Sequence, residues 1–346
     1  MLIFLPADNL NQKNKITSHR VSWTLNQPFL RLVFSQASII EPVIASRNSL
    51  LKMKYFHKMS MIPRLLFLLL VFPALVPAQQ IIPLYENNTV PNSVGTVTMP
   101  TLTVYQPKKD LSKGTAVIVC SGGSYAGRAN NVEGIPACKK LMEQGITAFL
   151  LDYRVPNAKE MIDKSTGPLM DAQRAIQYVR EHARQFHIKE NKIGIMGFSA
   201  GGHLVSTATT HFSKNYIDNP EHTSLRPDFA VLVYPVISFA DSLTHAESRR
   251  RLIGPDFSAE RIREYSNELQ VTDSTPPVYL VHAVDDPVVK VENSLYFEAA
   301  LRQHHVPVEM FLYVKGGHGF GIHNPTVEIQ WIDDCIEWIR KGKWVN

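Results

Sequence analysis

Cysteine is scarce in this chain. Cys120, Cys138 and Cys335 are the only three in 346 residues, too few and too scattered for a disulfide framework or a structural zinc site. They leave room for one bridge, or for buried free thiols. No apolar run reaches the roughly 20 residues a spanning helix needs. The longest lies between Arg64 and Ala78, where Pro73 interrupts it. Collagen-like repetition, disorder along the whole chain and low-complexity tracts are also missing, since 45% of the residues are hydrophobic and 19% charged without periodic bias. Nor is there an excess of positive charge where a folded domain would carry it. The formal charge is +5, but residues 1–78 hold nine Lys/Arg against two acids, which leaves 27 basic and 29 acidic residues in 79–346. That near-neutral remainder excludes nucleic acid as an expected partner.

The basic N-terminal part has its own reading. Lys52, Lys54, Lys58 and Arg64 precede the apolar stretch, and Val76-Pro77-Ala78 approximates a small-residue cleavage site. A secretory signal peptide over 53–78, cut before Gln79, is expected rather than a stable membrane anchor. Met53, Met59 and Met61 are each placed to start it, so residues 1–52 are read as a mis-assigned upstream extension. No cysteine stands at the cleavage point to carry a lipid. An exported product, periplasmic or secreted, follows.

From Gln79 onward, strand and helix signals alternate. Thr101–Pro107 alternates β-branched and other residues as a strand does. Thr115–Cys120, Ile146–Tyr153, Lys192–Met196, Phe229–Tyr234, Val278–Ala283 and Val308–Val314 are apolar runs of strand length, as expected of strands covered on both faces. Helical patterns occupy about 135–144, 170–186 and the stretch from Ser199 to about Thr210. This alternation predicts one α/β domain with a mostly parallel sheet. The polar stretch from about 240 to 275, with Arg249-Arg250-Arg251, is longer than a simple crossover and is read as a small helical insertion.

Four features bear on chemistry. Gly197-Phe198-Ser199-Ala200-Gly201 matches G-x-S-x-G. The bare pattern arises by chance about once in ten chains of this size, but here it falls between a strand and a helix, the context of a strained nucleophile turn. A serine hydroxyl needs a base, and the base needs an orienting group. His318, in Gly316-Gly317-His318-Gly319, follows the last strand and is the candidate base. Asp285 and Asp286, just after the strand that ends at Ala283, are both candidate acids. Spacing does not choose between them; the one left over would cap the turn or bond the loop backbone. Ser121-Gly122-Gly123-Ser124 closes an earlier strand with little side-chain bulk. Backbone N–H groups near Gly123, Ser124 and Ala200 are therefore candidate oxyanion donors. Tyr125 beside them is either a wall of an acyl pocket or a core aromatic. His203, one helical turn after Ser199, is read as a packing residue.

These residues resemble the α/β-hydrolase superfamily, and within it the esterase branch of acetylxylan and related carbohydrate esterases. The resemblance covers nearly all of 97–342. It is carried by Pro-Thr-Leu-Thr-Val-Tyr at 100–105, Cys-Ser-Gly-Gly-Ser-Tyr at 120–125, Leu-Asp-Tyr-Arg-Val-Pro at 151–156 and Asp-Ala-Gln-Arg-Ala-Ile at 171–176. Met-Gly-Phe-Ser-Ala-Gly-Gly-His at 196–203 and the segments around Asp286 and His318 complete it. It implies the α/β-hydrolase fold, with Ser199 as nucleophile, His318 as base and Asp286 rather than Asp285 as acid. The family's His-Gly-x-x-Asp-x-x-Val pattern falls on His282, Ala283, Asp286 and Val289. Ala283 replaces the usual Gly, and Ser124 stands where a third Gly is common.

The implied activity is hydrolysis of short-chain acyl esters on a small molecule or polysaccharide such as acetylated xylan, through an acyl-enzyme. No metal, organic cofactor or obligate protein partner is implied. Two alternatives share the topology. A prolyl-oligopeptidase-like peptidase would carry a large upstream propeller, for which about twenty residues leave no room, and a non-catalytic binding module would have lost a triad member.

Overall fold

The computed structural model describes residues 79–342 apart from 87 and 88. The expected upstream extension (1–52) and signal peptide (53–78) lie outside the described residues. An eight-stranded sheet runs through the domain in the order β1-β2-β4-β3-β5-β6-β7-β8. The strands are β1 (Ile81–Pro83), β2 (Thr101–Tyr105), β3 (Ala116–Cys120), β4 (Thr147–Asp152), β5 (Ile193–Phe198), β6 (Phe229–Val233), β7 (Val278–Ala283) and β8 (Val308–Tyr313). β1 and β2 pair antiparallel, as do β2 and β4; every other pairing is parallel. The mostly parallel sheet expected from the sequence is thus present, with β1 as an edge strand that its short, Pro-ended sequence does not announce.

The continuous apolar runs are explained by cover on both faces. β3, β5, β6 and β7 are buried along their whole length, and their period-2 geometry sends alternate residues to opposite cores. Ile118, Ile195, Leu232 and Leu280 join one core. Val119, Met196, Val231 and Val281 join the other. The first core is closed by α2 (Gly167–Glu181), α3 (Ser199–Thr210) and α6 (Glu292–Gln303), through residues such as Ile176, Leu204 and Phe297. The second is closed by α1 (Ile135–Glu143) and α7 (Trp331–Lys341). α7 puts Trp331, Ile332, Cys335, Ile336 and Ile339 inward and ends at Gly342 in the left-handed conformation. All three cysteines are buried free thiols.

Two further helices, α4 (Ala246–Leu252) and α5 (Ala259–Glu264), with a 3-10 turn at Asn267–Leu269, make up the insertion expected at 240–275. The buried carboxamide of Asn267 ties it to α3 by donating to Ser206 Oγ (2.7 Å) and Thr207 Oγ1 (3.1 Å). It is also joined to the loop before α2, where Arg261 pairs with Asp163 at 3.3 Å and the Tyr265 hydroxyl donates to Ser165 Oγ at 3.0 Å. Among the described residues no helix is long and apolar enough to cross a membrane.

The topology decides where a ligand can meet the backbone. The chain steps from β3 to β4 on one side and then returns to place β5 on the other side of β3. In open α/β sheets, the crevice at the carboxyl ends of strands flanking such a reversal is the binding position. Here those ends carry Ser121–Tyr125 after β3 and Ser199 after β5.

Candidate active site

Ser199 begins α3 directly after β5, with no connecting loop. So abrupt a turn forces the serine to a φ of +50°, an unfavourable region for a residue with a Cβ, tolerated where the surroundings hold it. The glycines around it make the approach possible. A Cβ on Gly201 would lie 2.3 Å from the Cys120 carbonyl oxygen, and one on Gly197 would lie 2.3 Å from that of Gly201. The Ser199 carbonyl accepts from Val236 N–H at 3.1 Å, fixing the turn to the segment after β6.

The loops after β7 and β8 bring the other two residues to the serine. His318 Nε2 lies 2.9 Å from Ser199 Oγ, and His318 Nδ1 lies 2.7 Å from Asp286 Oδ2. With Nδ1–H donated to the carboxylate, Nε2 is left to accept the serine proton. The Asp286 side chain is buried, yet its other oxygen accepts from the N–H groups of Val288 (2.8 Å) and Val289 (2.9 Å). Behind it, His282 Nε2 sits 3.3 Å from Asp286 Oδ2 and donates to the Val289 carbonyl at 2.9 Å, while its Nδ1 meets Ser294 Oγ at 2.7 Å. Burial pushes the Asp286 carboxyl up, but the hydrogen bonds from His282, His318 and Val289 outweigh it and hold the group well below the usual carboxylate range.

The two neighbouring aspartates are separated in what they touch. Asp286 faces His318; Asp285 Oδ1 accepts from the N–H groups of Gly316 (2.9 Å) and Gly317 (2.8 Å) and so braces the loop that carries the histidine.

The loop after β3 turns sharply. Gly123, Ser124 and Tyr125 have φ values of +122°, +56° and +57°, and a Cβ on Gly123 would lie 2.6 Å from the Gly127 carbonyl oxygen. The Gly122 N–H is taken by Glu133 Oε2 at 2.6 Å. Among the described residues, no acceptor engages the N–H groups of Gly123, Ser124 or Ala200, which leaves those three amides for a ligand oxygen.

Tyr125 does not fit the substrate-wall role expected for it. It is 1% exposed, its ring edge meets Tyr153, and its hydroxyl bonds His203 Nδ1 at 3.0 Å. A side chain closed off in this way is a core aromatic. His203 packs as expected: it stacks on Phe239 at 4.2 Å, and its Nε2 donates to the Tyr265 carbonyl at 2.9 Å. Burial lowers its pKa to about 4, so it is neutral at ordinary pH.

Two residues near the site carry no sequence signal. Glu133, on a π-helical turn ahead of α1, is buried, and Tyr234, just after β6, donates its hydroxyl to Glu133 Oε1 at 3.0 Å. The Tyr234 ring lies 4.7 Å from the His318 ring. The only local hint is an acid shortly after the glycine loop; its partners are 11 and 101 residues away along the chain.

Residues 102–301 match the BD-FAE family. The chain belongs to the BD-FAE family. An acetylxylan esterase of Xylanibacter ruminicola is 34% identical over 232 residues, which cover 66% of this chain and 45% of that protein. Endo-1,4-beta-xylanase B of Butyrivibrio fibrisolvens is 34% identical over 235 residues, 67% of this chain and 36% of that protein. The BD-FAE chain thus spans less than half the length of these curated relatives. The crystal structure of an acetyl ester-xyloside bifunctional hydrolase from Caldicellulosiruptor lactoaceticus matches with a TM-score of 0.71 at 38% identity, covering 79% of this chain and 100% of that one. The α/β-hydrolase fold is that of these neighbours, and the matched family segment contains Ser199 and Asp286.

Proposed function

We propose that this protein is an exported serine esterase that removes short acyl groups, acetyl above all, from plant polysaccharide or oligosaccharide such as acetylated xylan. The observation that carries the reading is the unbroken hydrogen-bond chain from Ser199 Oγ through His318 to Asp286, at 2.9 and 2.7 Å, beside three amides without a partner among the described residues. The kinship with an acetylxylan esterase and with an acetyl ester-xyloside hydrolase supports the substrate class. Export rests on the signal-peptide pattern at 53–78.

In this mechanism Ser199 Oγ attacks the ester carbonyl while His318 Nε2 takes its proton. Negative charge develops on the former carbonyl oxygen, where the N–H groups of Gly123, Ser124 and Ala200 receive it and the N-terminal end of α3 favours it. His318 returns the proton to the departing sugar hydroxyl, leaving an acyl-Ser199. Water then attacks, giving a proton to His318, and His318 passes it to Ser199 Oγ as the acyl–oxygen bond breaks and the carboxylic acid leaves. Asp286 stays ionised, holding the imidazole tautomer and favouring its charged form in both steps. Ser199→Ala is expected to lower p-nitrophenyl acetate and acetylated xylan hydrolysis by about 10⁶. Retention of wild-type rates on both substrates would rule the mechanism out.

A further inference from the structure

Glu133 is 5% exposed, yet among the described residues no Lys or Arg lies within ion-pair distance of it. Burying a carboxylate without a cation is expensive, so what it faces matters. Oε2 accepts the Gly122 N–H at 2.6 Å, at the root of the loop that presents the Gly123 and Ser124 amides. Oε1 accepts the Tyr234 hydroxyl at 3.0 Å. That hydroxyl oxygen in turn accepts the Gly321 N–H at 3.1 Å, in the loop that carries His318. One carboxylate therefore spans the β3 loop and the β8 loop. A Cβ on Gly321 would lie 2.8 Å from the Val132 carbonyl oxygen, so the two segments are also packed directly together.

We propose that Glu133 is a positioning residue of the esterase reaction: it holds the amide loop and the His318 loop in register and supplies a second buried negative charge toward His318. This rests on the esterase function proposed above. Before the reaction, Glu133 faces no Lys or Arg among the described residues. When His318 accepts the Ser199 proton, the imidazolium faces Asp286 and, through the Tyr234 layer, Glu133. An attraction that appears only with the developing charge lowers the barrier rather than strengthening substrate binding. Burial pushes the Glu133 carboxyl above its ordinary value and the bonds from Gly122 and Tyr234 offset this only in part; both of its oxygens nevertheless accept, from the Gly122 N–H and the Tyr234 O–H, as those of a carboxylate do.

The groups facing His318 are Asp286 after β7, Tyr234 after β6, Ser199 at the start of α3, Glu133, and His245 just before α4. Of these only Asp286 and Glu133 are carboxyl groups. Glu133→Gln keeps the shape and an acceptor for Gly122 N–H but removes the charge.

The test is p-nitrophenyl acetate kinetics of wild type, Glu133→Gln and Tyr234→Phe across about pH 5–9, with melting temperatures recorded alongside and Ser199→Ala as control. In Glu133→Gln, kcat should fall about tenfold with KM within about twofold, because Glu133 does not touch the substrate. The acid limb of kcat/KM should move down by about half a pH unit, because one of the two anions favouring a charged His318 is gone. A profile that overlays the wild type, with kcat within twofold, overturns the proposal. If Glu133→Gln does not fold, Tyr234→Phe decides: the bridge to Gly321 is cut, and several-fold loss of kcat at unchanged KM is expected. Wild-type kcat in that variant overturns it equally. An active Ser199→Ala would instead overturn the esterase reading itself.

Discussion

Asp285 and Asp286 are adjacent, identical in type and equally exposed to a reader of the sequence, yet the backbone turn after β7 sends one carboxylate to an imidazole and the other to two glycine amides. Asp286→Asn is expected to cost about 10³–10⁴ in kcat, because the amide stabilises the wrong tautomer and cannot balance the imidazolium. Asp285→Ala should cost only about tenfold, through a looser His318 loop; the same assay reads both. Asp286 also has a place in acid stability. A carboxyl held below its ordinary pKa contributes stability that is complete above about pH 4 and is lost only as the pH falls toward the depressed value. Ser199 and His318 are legible in the sequence because each sits in a run of glycines at a strand end. Glu133 and Tyr234 are not, because nothing about an acid at 133 or a tyrosine at 234 marks them as partners until β3 and β6 are placed in one sheet. Tyr125 misleads for the opposite reason: it neighbours the amide loop in sequence, but a left-handed turn swings its ring into the core.

Among the elements, α3 carries the tightest constraints. Gly201 lies against the backbone oxygens of Cys120 and Ser121, at 2.3 and 2.4 Å from where a Cβ would stand, and backbone cannot yield as a side chain can. Gly201→Ala should therefore destabilise the protein by about 3 kcal/mol despite the better helix propensity of alanine, measured by urea unfolding. His203 gives the same helix a pH-dependent contribution. Its pKa falls from 6.5 in the unfolded chain to about 4 in the folded one. Its neutral packing therefore contributes fully above about pH 6.5 and is lost progressively as the pH drops toward 4, on the order of 3 kcal/mol in all. In His203→Gln the stability difference from wild type should shrink over that interval; a constant difference from pH 7 to 4 would refute it. Most strands and the first three long helices are visible as apolar periodicity. β1 is too short for that, whereas α7 carries the pattern plainly at Trp331, Ile332, Cys335, Ile336 and Ile339.

At the scale of the molecule, the parallel pairing of β3, β5, β6, β7 and β8 brings five strand ends to one rim, and the insertion and the loop before α2 are joined to each other through Arg261, Tyr265, Asp163 and Ser165. The net basic excess lies in residues 1–78, and the 27 basic and 29 acidic residues of 79–346 leave no excess of positive charge to attract an anionic polymer. Whether Ser199 is the nucleophile of an acyl-transfer site is read by mass spectrometry of the protein after reaction with a fluorophosphonate. One adduct per chain is expected, on the peptide containing Ser199, appearing in step with loss of p-nitrophenyl acetate hydrolysis. Full labelling at any other residue, or hydrolysis that persists when Ser199 is fully modified, would contradict it.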